Sequence, residues 1–276
     1  MAIIYLNADT GDDGTGDGSS GNPYETISKG IAEHSAGDAI HMQNAASAYA
    51  GPTSAKTLLA GSTFEGESQS GVLINLGTNV INGEDGTTFQ DYTVHSPGGE
   101  QFSLTRVTAG SELDINRVKY TFASSNNKFN DITTANATMN WNACVFIDGR
   151  ATGNAFIGAE TLSGSQAFFN NCLFYYQSTF TFVGTGVFHG GAISEGTTVK
   201  NCLVYSEGTM SLKMMSTTPV AAGWTFINSN FYSVNGQSNN PTGTDLLFVD
   251  PLMVDAANGD YNLRPTSPMI DAGTLI

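Results

Sequence analysis

Cations are scarce in this sequence. Of its 276 residues only 10 are Lys or Arg, against 25 Asp or Glu, and the net charge is −15. Nucleic-acid backbones are held by Lys and Arg that displace counterions, so that class of partner is excluded. Docking on an anionic membrane surface fails for the same reason. Long apolar runs are missing too: no stretch approaches the roughly 20 residues of a membrane-spanning helix. The opening "MAIIYLNADTGDDG" has no basic region and too short an apolar run for a secretory signal, so synthesis and folding in a cytoplasm are expected. Cysteine is limited to three residues, odd in number and far apart, which makes neither a disulfide framework nor a C-x-x-C metal site. Charged residues of any kind make up 13% of the chain while Gly reaches 32 residues, a balance that favours strands joined by many turns.

What is present is a repeat. "FNNCLFYYQ" at 169–177 returns as "VKNCLVYS" at 199–206 and "FINSNFYS" at 226–233. Taking residues two apart as inward pairs gives Tyr92/Val94, Val118/Tyr120, Cys144/Phe146, Cys172/Phe174, Cys202/Val204 and Ser229/Phe231, with steps of 26, 26, 28, 30 and 27 between first members. A drifting period in the twenties, built from two-residue alternation, β-branched and aromatic side chains and Gly/Asn/Ser/Thr boundaries, predicts a β-solenoid. Its strands stack in parallel about 4.8 Å apart, so equivalent residues form files. Asn171, Asn201 and Asn228 precede the inward pairs and are expected at a bend, with amides hydrogen-bonded along the file. Cys144, Cys172 and Cys202 share a file as small apolar fillers.

The outward residues change character along the chain. Early coils show Thr93, His95, Arg117 and Lys119; later ones show Val145, Ile147, Leu173, Tyr175, Leu203, Tyr205 and Tyr232. Strands apolar on both faces are covered on both faces. The later stripe is therefore expected to meet another subunit, in a homo-oligomer such as a trimer, or else a long loop of the same chain.

At the start, a short strand leads through a Gly/Asp/Ser loop to a helix signal, with Asn22 as N-cap, Pro23 at N1 and Glu25 at N3. Pro23, Tyr24, Thr26, Ile27, Gly37, Asp38 and Ile40 resemble the N-terminal cap of right-handed parallel β-helix proteins of the pectate-lyase-like superfamily. Asp250-Pro251, Gly259-Asp260-Tyr261 and Ser267-Pro268 with Ile270-Asp271 resemble their closing segment. The resemblance implies an all-β chain forming a single right-handed parallel β-helix. Residues 1–40 supply strand, loop and capping helix, 41–245 the coils, and 246–276 the closing segment.

Lyases of that superfamily pair Ca²⁺-binding carboxylates with a cationic base, and the nearest match is Asp91, Asp114, Arg117 and Lys119, a set that reads equally as surface ion pairs. The hydrolase pattern is met only by "HGG" at 189–191 and "RVK" at 117–119, in reversed order, and the esterase pattern by "FIDGR" at 146–150. The loop carrying Asp9, Asp12, Asp13 and Asp17 is oxygen-rich enough for Ca²⁺ without following the helix-loop-helix calcium spacing; as a solvated turn it needs no ion or other cofactor.

The scaffold hosts unrelated functions, so the fold alone assigns none. The composition, free thiols and unsignalled start point to a non-enzymatic structural protein of a bacteriophage particle. Its expected place is the virion, as a decoration or cement protein on the major capsid protein or another virion protein. A polysaccharide lyase or hydrolase, as in a depolymerase or tail spike, is the alternative. A module that binds bacterial surface glycans without cleaving them is a third.

Overall fold

Each segment of the repeat forms two short strands joined by a two-residue bend. Around residue 169, Gln166–Asn170 runs into Asn171-Cys172 and then Leu173–Tyr176. The first bend residue takes the left-handed backbone conformation in successive coils, at Asp91, Arg117, Ala143, Asn171, Asn201 and Asn228, with φ between 46° and 61°. Asn visits that region more readily than most L-residues, so the Asn file answers a backbone requirement. An amide ladder runs one position before the bend. Asn142 Nδ2 donates to Asn116 Oδ1 at 3.0 Å, and Asn170 Nδ2 to Asn142 Oδ1 at 3.1 Å. These three residues are still in the strands, where registered neighbours stand side by side.

The computed structural model describes residues 1–75, 79–96, 105–122, 136–149, 157–159, 165–177, 188–190, 196–208, 210–211, 224–238 and 240–273. They wind as one parallel β-helix. Strands before the bend form a nine-stranded sheet, from Ile3–Leu6 to Trp224–Ile227. Strands after it form an eight-stranded sheet, from Tyr49–Ala50 to Asn230–Ser233. Shorter strands such as Lys56–Leu58, Ile81–Gly83 and Thr105–Val107 make the third side. From Asp91 onward the bend keeps its two-residue length, so the drift of the period falls on the connections leaving the second sheet.

The interior consists of registered files. In the first sheet Phe64, Phe89, Ile115, Trp141, Phe169, Val199 and Phe226 follow one another. In the second, Val94, Tyr120, Phe146, Phe174, Val204 and Phe231 do the same. Rings stack along these files: Trp141 on Phe169 at 4.6 Å, Phe146 on Phe174 at 4.8 Å. Such contacts add about 0.5–1.5 kcal/mol beyond the area buried.

The N-terminal end of the stack is covered by the helix Ile27–Glu33, with Ile27, Gly30 and Ile31 facing inward. A Cβ on Gly30 would stand 2.7 Å from Leu6 Cδ2, so a larger residue here would have to displace the Leu6 side chain. The helix begins later than Asn22, Pro23 and Glu25 suggest: its N-cap is Thr26, whose Oγ1 accepts from Lys29 N at 3.1 Å. Pro23 and Tyr24 are held instead beside the first strand, where Tyr24 N donates to Tyr5 O and Asn7 N to Tyr24 O. At the other end the chain leaves the stack after the bridges Ile227 with Thr244 and Asn230 with Leu247. It then folds back as an antiparallel hairpin, Met253–Asp255 with Asp260–Leu263.

Candidate functional site

The four residues expected to form a catalytic cluster are separated by the coil geometry. Arg117 is a bend residue rather than an outward strand residue, and Asp91 holds the same position one coil earlier. The Arg117 guanidinium grips both Asp91 oxygens, Nε at 2.7 Å and Nη2 at 2.6 Å, and Nη2 also reaches Gln90 Oε1 at 3.4 Å. This hydrogen bonding raises the Arg117 pKa further, so it is no proton acceptor. Asp114 lies on the first sheet and accepts from Asn140 Nδ2 at 3.0 Å. Lys119 lies on the second sheet, in register with Thr93 and Val145. Two of the four meet, and they neutralise each other.

The other two sequence matches lie only partly within the described residues. Asp148 is buried at a strand end, and Arg150 lies outside the described residues. Of "HGG", His189 and Gly190 belong to the short strand Phe188–Gly190 and Gly191 lies outside the described residues.

In the N-terminal loop the carboxylates are occupied by amides. Asp9 accepts from Ala46 N at 2.6 Å and Ser47 N at 3.0 Å, tying the loop to the first coil. Asp12 accepts from Gly14 N and Thr15 N, and Asp17 from Ser19 N. Asp13 Oδ1 takes Glu25 N and Thr26 N while Oδ2 takes Thr26 Oγ1 at 2.6 Å, fixing the approach to the helix. Hydrogen bonds hold the Asp9, Asp12 and Asp17 carboxyls below the usual carboxylate range, chiefly from Ser47, Gly14 and Ser19 respectively. Among the described residues, no group of three or more His, Cys, Asp or Glu is placed to hold a metal ion.

The outward apolar stripe is covered by its own chain. Ile147 and Tyr175 are buried with Met253, and Val145, Leu173, Leu203 and Tyr205 pack around them together with Ala256, Tyr261 and Leu263 of the hairpin. Tyr232 continues the file, its ring 5.9 Å from that of Tyr205. The closing segment thus lies over Ile147 and Tyr175, as in the intramolecular of the two expected arrangements. Burial, reinforced by a hydrogen bond to Glu207, pushes the Tyr175 phenol up.

Beside the hairpin the second sheet stays polar. Lys119, His95 and Thr121 stand on its outer face against Asn258, Gly259 and Tyr261 of the hairpin turn, across a groove of about 550 Å³. The sequence marks Lys119 and His95 as outward residues, but the hairpin residues opposite them carry no local signal of that role.

No protein-family model matches this sequence, and no curated protein matches it. Among solved structures it is similar to two of the PL6-family alginate lyase AlyGC. One, of a mutant, gives a TM-score of 0.38 at 13% identity, covering 81% of this chain and 39% of the lyase. The other gives 0.34 at 13% identity, covering 74% and 33%. This chain therefore spans little more than a third of the lyase's length. Among the described residues, no helix is long and apolar enough to cross a membrane.

Proposed function

We propose that this chain is a non-enzymatic structural protein of a bacteriophage particle, decorating the head surface through contact with the major capsid protein. The observation that carries the non-enzymatic part is the bidentate Asp91–Arg117 pair. A lyase or hydrolase needs carboxylates beside an available base or cation, whereas Asp91 and Arg117 hold each other and, among the described residues, no carboxylate lines the groove that carries Lys119 and His95. The structural part draws support from the stack: ring files run through the core, a helix covers one end and a hairpin covers the apolar flank. Buried free thiols at Cys144, Cys172 and Cys202 fit assembly in a reducing cytoplasm before release.

Mass spectrometry of purified particles from the producing host tests this reading, with the chain expected at stoichiometric abundance. Its absence from particles, or release of unsaturated uronide ends or new reducing ends from bacterial surface polysaccharide by the purified chain, overturns it. The second outcome would establish the polysaccharide-cleaving alternative.

A further inference from the structure

The C-terminal hairpin leaves part of the second sheet open. Its turn stands beside the earlier coils where the outer face changes from apolar to polar, and the groove between them is the one lined by Lys119 and His95. These two residues lie on adjacent strands, with His95 registered against Thr121. Gln177, Asn258 and Tyr261 close the remaining sides.

The polar groups are directional. Among the described residues Lys119 makes no ion pair, which leaves an uncommitted ammonium on a chain of net charge −15. Thr121 Oγ1 lies 3.2 Å from Val94 O and 2.9 Å from His95 Nδ1, which anchors the imidazole beside Lys119. Tyr261 packs against Tyr175 with centroids 5.1 Å apart and also lines a second groove of about 480 Å³, walled by the bend residues Asn171, Asn201 and Asn228.

Amides, an imidazole and a phenol ring suit sugar hydroxyls and the apolar face of a pyranose. One ammonium suits one carboxylate. A polyanion charged at every sugar is disfavoured, because the whole molecule is acidic. We propose that the groove beside Lys119 binds an oligosaccharide of neutral sugars bearing a single acidic residue, its carboxylate on Lys119 and its rings against Tyr261.

Isothermal titration of the full chain with three probes tests this. They are a tetrasaccharide of neutral hexoses ending in one glucuronic acid, the same compound with that carboxyl methyl-esterified, and a tetramer of uronic acids throughout. The first is expected to bind, and the other two about tenfold more weakly or worse. Lys119→Met keeps the alkyl stem and is expected to lower the first probe to the level of its ester. Equal binding of all three, no binding of any, or an unchanged preference in Lys119→Met overturns the proposal. So does tighter binding of an acidic peptide than of the first probe. The ester comparison needs no variant, so it decides the matter even if Lys119→Met fails to fold. Failure here leaves the particle role standing, because that role is tested on particles and does not depend on the groove.

Discussion

Cys202 and Ser229 occupy the same position in adjacent coils and make the same contacts. Cys202 Sγ reaches Lys200 O at 3.2 Å and Phe169 O at 3.3 Å; Ser229 Oγ reaches Ile227 O at 2.9 Å and Val199 O at 3.3 Å. The site accepts a small side chain with a weak donor, whether sulfur or oxygen. Cys172 repeats the pattern toward Asn170 O and Trp141 O.

Cys172→Ser is therefore expected to cost about 1 kcal/mol or less, since its hydroxyl finds carbonyls already in place. Cys172→Phe overpacks a closed file and is expected to cost about 1–3 kcal/mol or more. Urea midpoints at constant slope measure both. Burial pushes the Cys172 thiol well up, so a thiol reagent should label it only as the chain unfolds. Rapid labelling of the native protein at Cys172 would contradict the file.

Arg117 is expected to be dispensable for stability in one substitution and not in another. Its pair with Asp91 is largely open to solvent, with side-chain exposures of 54% and 27%, so it contributes at most about 1 kcal/mol. Its φ of 53° is the more demanding feature. Arg117→Asn supplies a residue that tolerates this conformation and should lie within about 1 kcal/mol of the parent. Arg117→Val places a β-branched residue there and should lose about 1–2 kcal/mol. Thermal melts of the two variants separate charge from backbone conformation; equal losses would show that the pair, not the bend, matters.

The solenoid was legible because its strand signal is local: alternation, ring files and the Cys-bearing segments repeat in register with the structure. A second repeat marks the opposite corner of the coil. Gly37, Gly61, Gly86, Gly110, Asn136 and Gly196 enter the first sheet there, each at positive φ. Their steps are 24, 25, 24 and 26 as far as Asn136, with Gly196 two coils further on, but glycine is abundant and its turns are easily taken for loop. The helix start was misplaced because Asn22, Pro23 and Thr26 all carry start signals, and only the tertiary hold of Tyr5 on Tyr24 selects among them. The groove was not legible, since Lys119 meets Tyr261 only through docking of the hairpin on coils far earlier in the chain.

The N-terminal loop carries an acid-sensitive signature. Asp9, Asp12 and Asp17 each have a pKa below the ordinary 3.8, set by hydrogen bonds accepted in the fold. A depressed folded-state value means that their contribution is complete above 3.8 and is lost as pH falls through the lower folded values. Amide resonances of Gly14, Ser19, Ala46 and Ser47 should therefore stay fixed down to the ordinary carboxylate range and shift only below it. Shifts with midpoints at or above 3.8 would mean that the carboxylates are not engaged by these amides.

Removal of the closing hairpin should turn a covered flank into a binding surface. Deleting residues 251–276 takes away Met253, Ala256, Tyr261 and Leu263, which lie over Ile147, Tyr175, Leu173 and Leu203. Each large side chain re-exposed forfeits about 1.5–3 kcal/mol of burial, so the truncated chain should melt earlier. The bare stripe is continuous along the stack, because Leu173 registers with Leu203 and Tyr175 with Tyr205. Contiguous apolar surface of that kind associates. Light scattering of the truncated chain is expected to show dimers or larger species and bound hydrophobic dye, and the full chain neither at the same concentration. Tyr175→Ser in the truncated background should reduce that association by interrupting the stripe. A truncated chain that keeps the parent's melting temperature and size would show that the hairpin contributes nothing to covering this face.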